Sequence, residues 1–418
     1  MVKQLTIIFI ISLSFAQKGV EPIPKESTWR RSLSRVLGFE DRTYNVHNDG
    51  KLALYFSNYG LLGFYNPSLE YPVNTQRYYI WQLGLMIGAK VDTSDNGIDD
   101  PVPLVSDTYQ DQGEANFNPI AGYHSIGLNP LAAVSNNPST WPTVWPGDLE
   151  TGTTGWPGME QYDYEPVGSQ ESFWVMRDYE SSLFDSHHRT KPSVGCLEVR
   201  CRGLQSNTTL TNRIIYFVYD IINKSDRTLL DCRVGLMMDP DHPAHLETEY
   251  SDDNAEYIPS LNMAMTYDYD NNYSNWPGVD LAYMGIMMLQ TPTTSSGDNI
   301  GITSWRSFKY SDMPKSGNIG GSYYASRDEA QYRYMNPGLF SPSPQVKADV
   351  CYVMSSGDFN MAPGDTQQIV ITIIVANNRD DLLKTAENAV TVYNLSLIHI
   401  SEPTRRSAIS YAVFCLKK

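Results

Sequence analysis

Several things are scarce in this chain, and each scarcity narrows what it can be. Its 418 residues include only five cysteines, too few for a small disulfide-stapled scaffold. Basic residues are outnumbered, 31 Lys and Arg against 47 Asp and Glu, for a net charge of −16. Such a field repels nucleic acid and anionic membrane surfaces while favouring cations. Beyond the N-terminus, the one sustained aliphatic run, 369–376, is strand-sized and far short of the roughly 20 residues a membrane helix needs. No transmembrane segment and no nucleic-acid partner are therefore expected. GxSxG, phosphate-loop and dinucleotide-binding patterns are absent, and no cysteine sits in a nucleophile motif. Nucleophilic catalysis therefore finds no support, and a non-catalytic protein is expected ahead of an enzyme.

The first sixteen residues combine Lys3, an apolar run from Leu5 to Ala16, and small residues at the −3 and −1 positions before Gln17. That pattern is a secretory signal peptide, Met1–Ala16, predicting a secreted or outer cell-surface protein. Residues 17–44 read as a weakly ordered leader. Thereafter β-branched and aromatic residues recur in strand-length segments: 51–58, 78–91, 171–179, 196–204, 213–222, 229–239 and 367–376. Arg213–Ile222 and Leu229–Asp239 flank an Asn-Lys-Ser-Asp-Arg link, which predicts an antiparallel hairpin of two central strands. One helix is predicted, over Arg379–Val392, from the spacing of Leu382, Leu383, Ala386, Ala389 and Val390. Residues 92–170, 250–280 and 311–345 read as long loops on a β scaffold. The fold expected is all-β: an antiparallel β-sandwich over 45–394, one large or two packed, with a division to be looked for near residue 190.

The final segment is of another kind. LSLIHISEPTR (395–405) and ISYAVFCL (409–416) resemble the in-frame translation of two sequencing adapters in their usual order. Residues 395–418 are thus expected to be a tail without a selected fold, and the natural sequence to reach at least Asn394. Without the tail's four basic residues (Arg405, Arg406, Lys417, Lys418) and Glu402, the net charge moves from −16 to −19. Cys415 leaves with it. Of the remaining four, Cys196 and Cys201 lie along one predicted strand, about 16 Å apart at strand rise, too far to bridge each other.

In order along the chain, NDGKLALYFSNYGLLG (48–63), EYPVNTQRYYIWQLGLMIGA (70–89), NNPSTWPTVWPG (136–147), QESFWVMRDY (170–179), LEVRCRGLQS (197–206), IIYFVYDIINKS (214–225), VGLMMDPD (234–241) and 355–383 resemble blocks of a group of large secreted proteins. These come from surface-dwelling bacteria that commonly use type IX secretion. The resemblance covers most of 45–394 and implies a cell-surface β-sandwich protein. It implies no chemistry.

Three constellations are candidates for binding. Asp92, Asn96, Asp99 and Asp100 lie in a turn whose early spacing suits calcium, although Pro103 stands where an EF-hand loop has its bidentate Glu. The bland alternative is a solvated acidic turn. The stretch 239–257 concentrates Asp239, Asp241, His242, His245, Glu247, Glu249, Asp252, Asp253 and Glu256 after a strand. Carboxylates outnumber imidazoles there, favouring calcium over zinc by hardness, and Pro243 opposes the continuous helix a zinc-hydrolase motif uses. Again the alternative is an exposed acidic loop. Last, Trp141, Trp145 and Trp156 on Pro/Gly-rich loops are candidates to stack on sugar rings, or else to pin those loops by packing. The reading that results is an exported structural or binding protein, calcium its candidate cofactor. Its alternative is a carbohydrate-binding or carbohydrate-active protein, with polysaccharide or other cell-surface components as partners.

Overall fold

In the strand Ile214–Asn223, residues 215, 217, 219 and 221 alternate with 214, 216 and 218, and all seven are apolar or aromatic and buried. A strand apolar on both faces must be covered on both. One face meets a second sheet, and the other a helix.

The computed structural model describes residues 41–64, 68–92, 101–109, 116–146, 156–157, 168–178, 193–243, 249–313, 317–319, 322–324, 326–342 and 347–397. The predicted signal peptide, most of the predicted leader and residues 398–418 lie outside them. Strands are numbered in chain order. The first sheet holds β1 (Tyr44–His47), β2 (Ala53–Ser57), β3 (Leu62–Gly63), β4 (Leu69–Glu70), β5 (Gln82–Val91), β6 (Val102–Asp107), β11 (Leu229–Asp239), β15 (Ser304–Lys309) and β18 (Val350–Met361). In the second are β7 (Asn118–Pro119), β8 (Gln170–Arg177), β9 (Leu197–Gln205), β10 (Ile214–Asn223), β12 (Asp253–Ile258), β13 (Met263–Asp268), β14 (Tyr283–Gln290) and β19 (Thr366–Ala376). Gly317–Ile319 (β16) and Ser322–Tyr324 (β17) form a separate ribbon. The named strands pair antiparallel throughout. The chain is therefore an antiparallel β-sandwich, as expected. Strands from both sides of residue 190 pair in each sheet, β8 with β9 and β5 with β11.

The core lies between the sheets, where Leu54, Phe56, Leu85, Val234, Leu236 and Met354 of the first face Trp174, Val199, Phe217, Ile286, Ile371 and Ile373 of the second. Phe217 stands opposite Gly203 in β9. A Cβ on Gly203 would lie 2.5 Å from His47 Nε2 and 2.9 Å from Phe217 Cε1. Glycine here makes room for an aromatic cluster of His47, Phe56, Trp174 and Phe217.

Each outer face carries a helix. Arg379–Val392 (α2) has the predicted bounds, is capped by Asn378 through Asp381 N–H, and buries Leu382, Ala386 and Ala389 against Ile214, Tyr216 and Met287. Asp380 and Asp381 complement its N-terminal dipole, and Asp381 binds Arg213. The other helix, Arg327–Tyr334 (α1), corrects the reading of 311–345 as loop. It covers Met86, Val105, Met237 and Val353 with Ala330 and Tyr332, joined by Met335 just after its end.

A second correction concerns the predicted hairpin. β10 and β11 are both central, yet they do not pair: β10 lies between β9 and β19, and β11 between β5 and β18. The 224–228 link passes from one sheet to the other, held by Asn223, whose Nδ2 donates to Arg227 O at 2.8 Å and Met361 O at 3.0 Å. Local sequence gives a hairpin and a sheet-to-sheet crossing the same signal, since both need two apolar strands and a polar link. A third is that 250–280 contains strands, β12 and β13.

Candidate metal centre

Four segments bring carboxylates to one end of the sandwich. β11 runs through Leu236, Met237 and Met238 and ends on Asp239. The chain then turns at Asp241, whose φ of +43° is a left-handed conformation that Asp tolerates better than most residues. Asp253 opens β12 directly opposite Asp268, the last residue of β13. Asp349 immediately precedes β18 and accepts Tyr310 N–H on its carbonyl at 2.9 Å.

Around them lie three groups, each with its candidate ligand atoms within 4.8 Å of one another: Asp241, Asp253 and Asp349; Asp239, Asp349 and Cys351, which shares Asp349 with the first; and Asp252, Asp268 and Asp270, which shares no residue with either. Asp241 and Asp253 are 2% and 0% exposed. The first group suits a hard cation best. Two oxygens on opposite sides of a calcium ion, each at about 2.4 Å, are about 4.8 Å apart, so one ion can touch all three carboxylates. Asp239 is engaged differently: Tyr109 O–H donates to its Oδ2 at 3.1 Å, and the Cys351 thiol donates to Oδ1 at 3.4 Å. A protonated thiol is a poor metal ligand.

His242 is fully buried, and burial lowers its pKa to about 4, leaving the ring neutral. Its Nε2 donates to Ala282 O at 3.0 Å, and its backbone N–H donates to Asp253 Oδ1 at 2.6 Å. The histidine thus orients a carboxylate through its main chain. In the third group, burial first and then the charge of Asp252 raise Asp268 to about 7.

Of the candidate ligands named from sequence in 239–257, Asp239 and Asp241 lie here with Asp252 and Asp253, while His245 and Glu247 are outside the described residues. Asp349, Asp268 and Asp270 were missed. The alternation of Asp268 and Asp270 before Asn271 and Asn272 was a readable oxygen-rich signal; Asp349 is separated from any acidic cluster in sequence and had none. The other predicted calcium turn is not brought into this centre. Asp92 ends half-buried just beyond β5, its carbonyl accepting from Arg227 at 3.5 Å, and Asn96, Asp99 and Asp100 lie outside the described residues.

The tryptophans pack on each other. Trp145 and Trp156 meet edge-on with centroids 5.6 Å apart, and Trp141 lies 5.6 Å from Trp156. Trp145 and Trp156 are 3% and 1% exposed, whereas Trp141 is half-buried. Trp156 Nε1 donates to Glu171 Oε2 at 2.9 Å, which also takes Arg202 at 2.8 Å. All four cysteines in the described residues are free, and burial raises the thiols of Cys196 and Cys232 to about 12. Among the described residues no helix is long and apolar enough to cross a membrane.

No family model and no curated protein matches the chain. Among solved structures it is similar to a bacterial glucoamylase complexed with acarbose, at 11% identity and a TM-score of 0.42, covering 82% of this chain and 33% of that one. It is also similar to a protein described as an aldose 1-epimerase from Escherichia coli K12, at 8% identity and a TM-score of 0.30, covering 81% of this chain and 100% of that one. A third is a TPR-domain containing protein from Parabacteroides distasonis ATCC 8503, at 8% identity and a TM-score of 0.28, over 81% of this chain and 48% of that one. The chain spans about one third of the glucoamylase's length. At these values the likenesses assign neither ligand nor reaction.

Proposed function

We propose that this chain is an exported, cell-surface or secreted β-sandwich binding protein that holds a calcium ion between Asp241, Asp253 and Asp349. The observation that carries the reading is the convergence of these carboxylates from three separate segments, two of them buried, within 4.8 Å. At that spacing each ionised pair repels by about 3–4 kcal/mol at an effective dielectric of 20, and a divalent cation reverses the sign. Asp241 follows β11 and Asp349 precedes β18, both in the first sheet, whereas Asp253 opens β12 in the second. An ion there clamps one sheet to the other. Export is supported by Met1–Ala16 in the sequence. Calcium outside cells suits the weaker sites typical of extracellular modules, with dissociation constants of about 0.1–1 mM.

The carbohydrate reading rests on the Trp-rich loops, and there Trp145 and Trp156 are packed inside an aromatic cluster. The acidic end therefore supports its reading better than the tryptophans support theirs. Thermal unfolding of the full chain tests it: chelator should lower the Tm, and calcium but not zinc should restore it. Identical melting curves with chelator and with excess calcium would remove the ion.

A further inference from the structure

We infer that Asp252, Asp268 and Asp270 form a second divalent-cation site, adjoining the first, in which the ammonium of Lys347 stands in for the ion. Their candidate ligand oxygens lie within 4.8 Å of one another. What sets the cluster apart from a solvated acidic surface is a pair of buried atoms without partners. Asp268 is 4% and Asp252 7% exposed, and Asp268 Oδ2 and Asp252 Oδ1 have no hydrogen-bond partner among the described residues. Asp268 Oδ1, in contrast, accepts the backbone N–H groups of Asp270 and Asn272 at 3.0 and 3.2 Å. The backbone therefore fixes this carboxylate with one oxygen satisfied and the other left over. A buried carboxylate oxygen left unpaired is costly, and a hard cation with oxygen ligands satisfies several such oxygens at once.

Lys347 indicates that the position takes positive charge. Its Nζ lies 3.1 Å from Asp252 Oδ2 and 2.5 Å from Asp270 Oδ2. The lysine side chain is 51% exposed, so it can swing into solvent when an ion arrives. It reaches none of the two orphaned oxygens, which an ion between the three carboxylates would take. Asp252 and Asp253 are consecutive, and Asp253 faces Asp268 across the strand pair. Like charges directly opposed in an antiparallel pair are destabilising; ions on either side would relieve that opposition from both clusters.

The inference uses different carboxylates from those of the first site, so the two can fail separately. Calcium titration calorimetry on the full chain is the test. Two ions per chain are expected in the unsubstituted protein, and one in Asp268→Asn and in the exposed-site variant Asp270→Asn, which guards against a folding defect at the buried position. Asp241→Asn should keep the second ion alone. Lys347→Met should tighten that ion by about two- to fivefold, the scale of an exposed ion pair no longer competing, and leave the first unchanged. A single ion that Asp241→Asn removes would overturn the second site and leave the first standing. Two ions retained in both Asp268→Asn and Asp270→Asn, or a Lys347→Met variant with both affinities unchanged, would overturn it as well. A single ion removed by Asp268→Asn and Asp270→Asn but kept in Asp241→Asn would support the second site and dismiss the first.

Discussion

The middle of the sandwich and its acidic end are built from adjoining stretches of chain, yet they are held together by different physics. In the middle, β10 and β11 bury apolar residues between the sheets, and removal of hydrocarbon from water supplies the stability. At the end, beyond Met238, Asp239 and Asp241 follow in the same run of chain and meet Asp253 and Asp349. Burial there opposes folding unless a counter-charge is present. The middle should be indifferent to ions, and the end should depend on them.

The largest effect expected is in the middle. Phe217 is fully buried, with ring centroids 5.7 Å from His47 and 6.3 Å from Trp174. Phe217→Ala should destabilise by about 3–5 kcal/mol, equally with chelator and with calcium, as read by denaturant unfolding. A loss that calcium repairs would blur the contrast between the regions.

Next comes Asp241→Asn. An ion between Asp241, Asp253 and Asp349 should contribute about 2.7 kcal/mol at a hundredfold excess over its dissociation constant, and the variant should lose that site's share of the calcium gain. A variant as calcium-responsive as its parent would move the ion elsewhere.

A smaller effect separates the regions by pH. His47 is fully buried between the sheets, and burial lowers its pKa from 6.5 to about 3. The unfolded chain therefore takes up a proton that the folded chain refuses between those values, so this contribution is present above about pH 6.5 and is lost as pH falls toward 3. His47→Gln, which can still meet Ser172, the partner of His47 Nε2 at 2.8 Å, removes it. The stability gap between the two proteins should narrow from about pH 7 to about pH 4. A gap that stays constant across that range would mean the buried imidazole does not titrate with folding.

The smallest effect concerns the tail. Leu395 is 50% exposed, and on the expectation from sequence that 395–418 is a tail without a selected fold, deleting Leu395–Lys418 should leave the Tm unchanged. A fall of several degrees would make the segment part of the fold.

How legible these regions were follows from how local their signals are. The long apolar strands and α2 announced themselves through periodicity, and α2 was readable to the residue because Asn378, Asp380 and Asp381 mark its start. Pairing was not readable, because β10 and β11 find their partners in β19, β9, β5 and β18, most of them far away in sequence. β12, beginning Asp-Asn-Ala-Glu, has only Ala255 and Tyr257 on its core face, and its polar start belongs to the acidic centre. α1 was hidden by its polar sequence, although Ser326 and Glu329 have capping-box spacing. The acidic centre was half legible: Asp239 and Asp241 stood in a visible cluster, while Asp349 joins them only because β18 lies beside β11.

Amide hydrogen exchange on the full chain, with chelator and with saturating calcium, tests the contrast most directly. Calcium is predicted to slow exchange at the start of β12, the end of β13 and residues 347–350, while leaving β10 and β19 unchanged. Equal protection of both regions, or no change at the acidic end, would contradict the account.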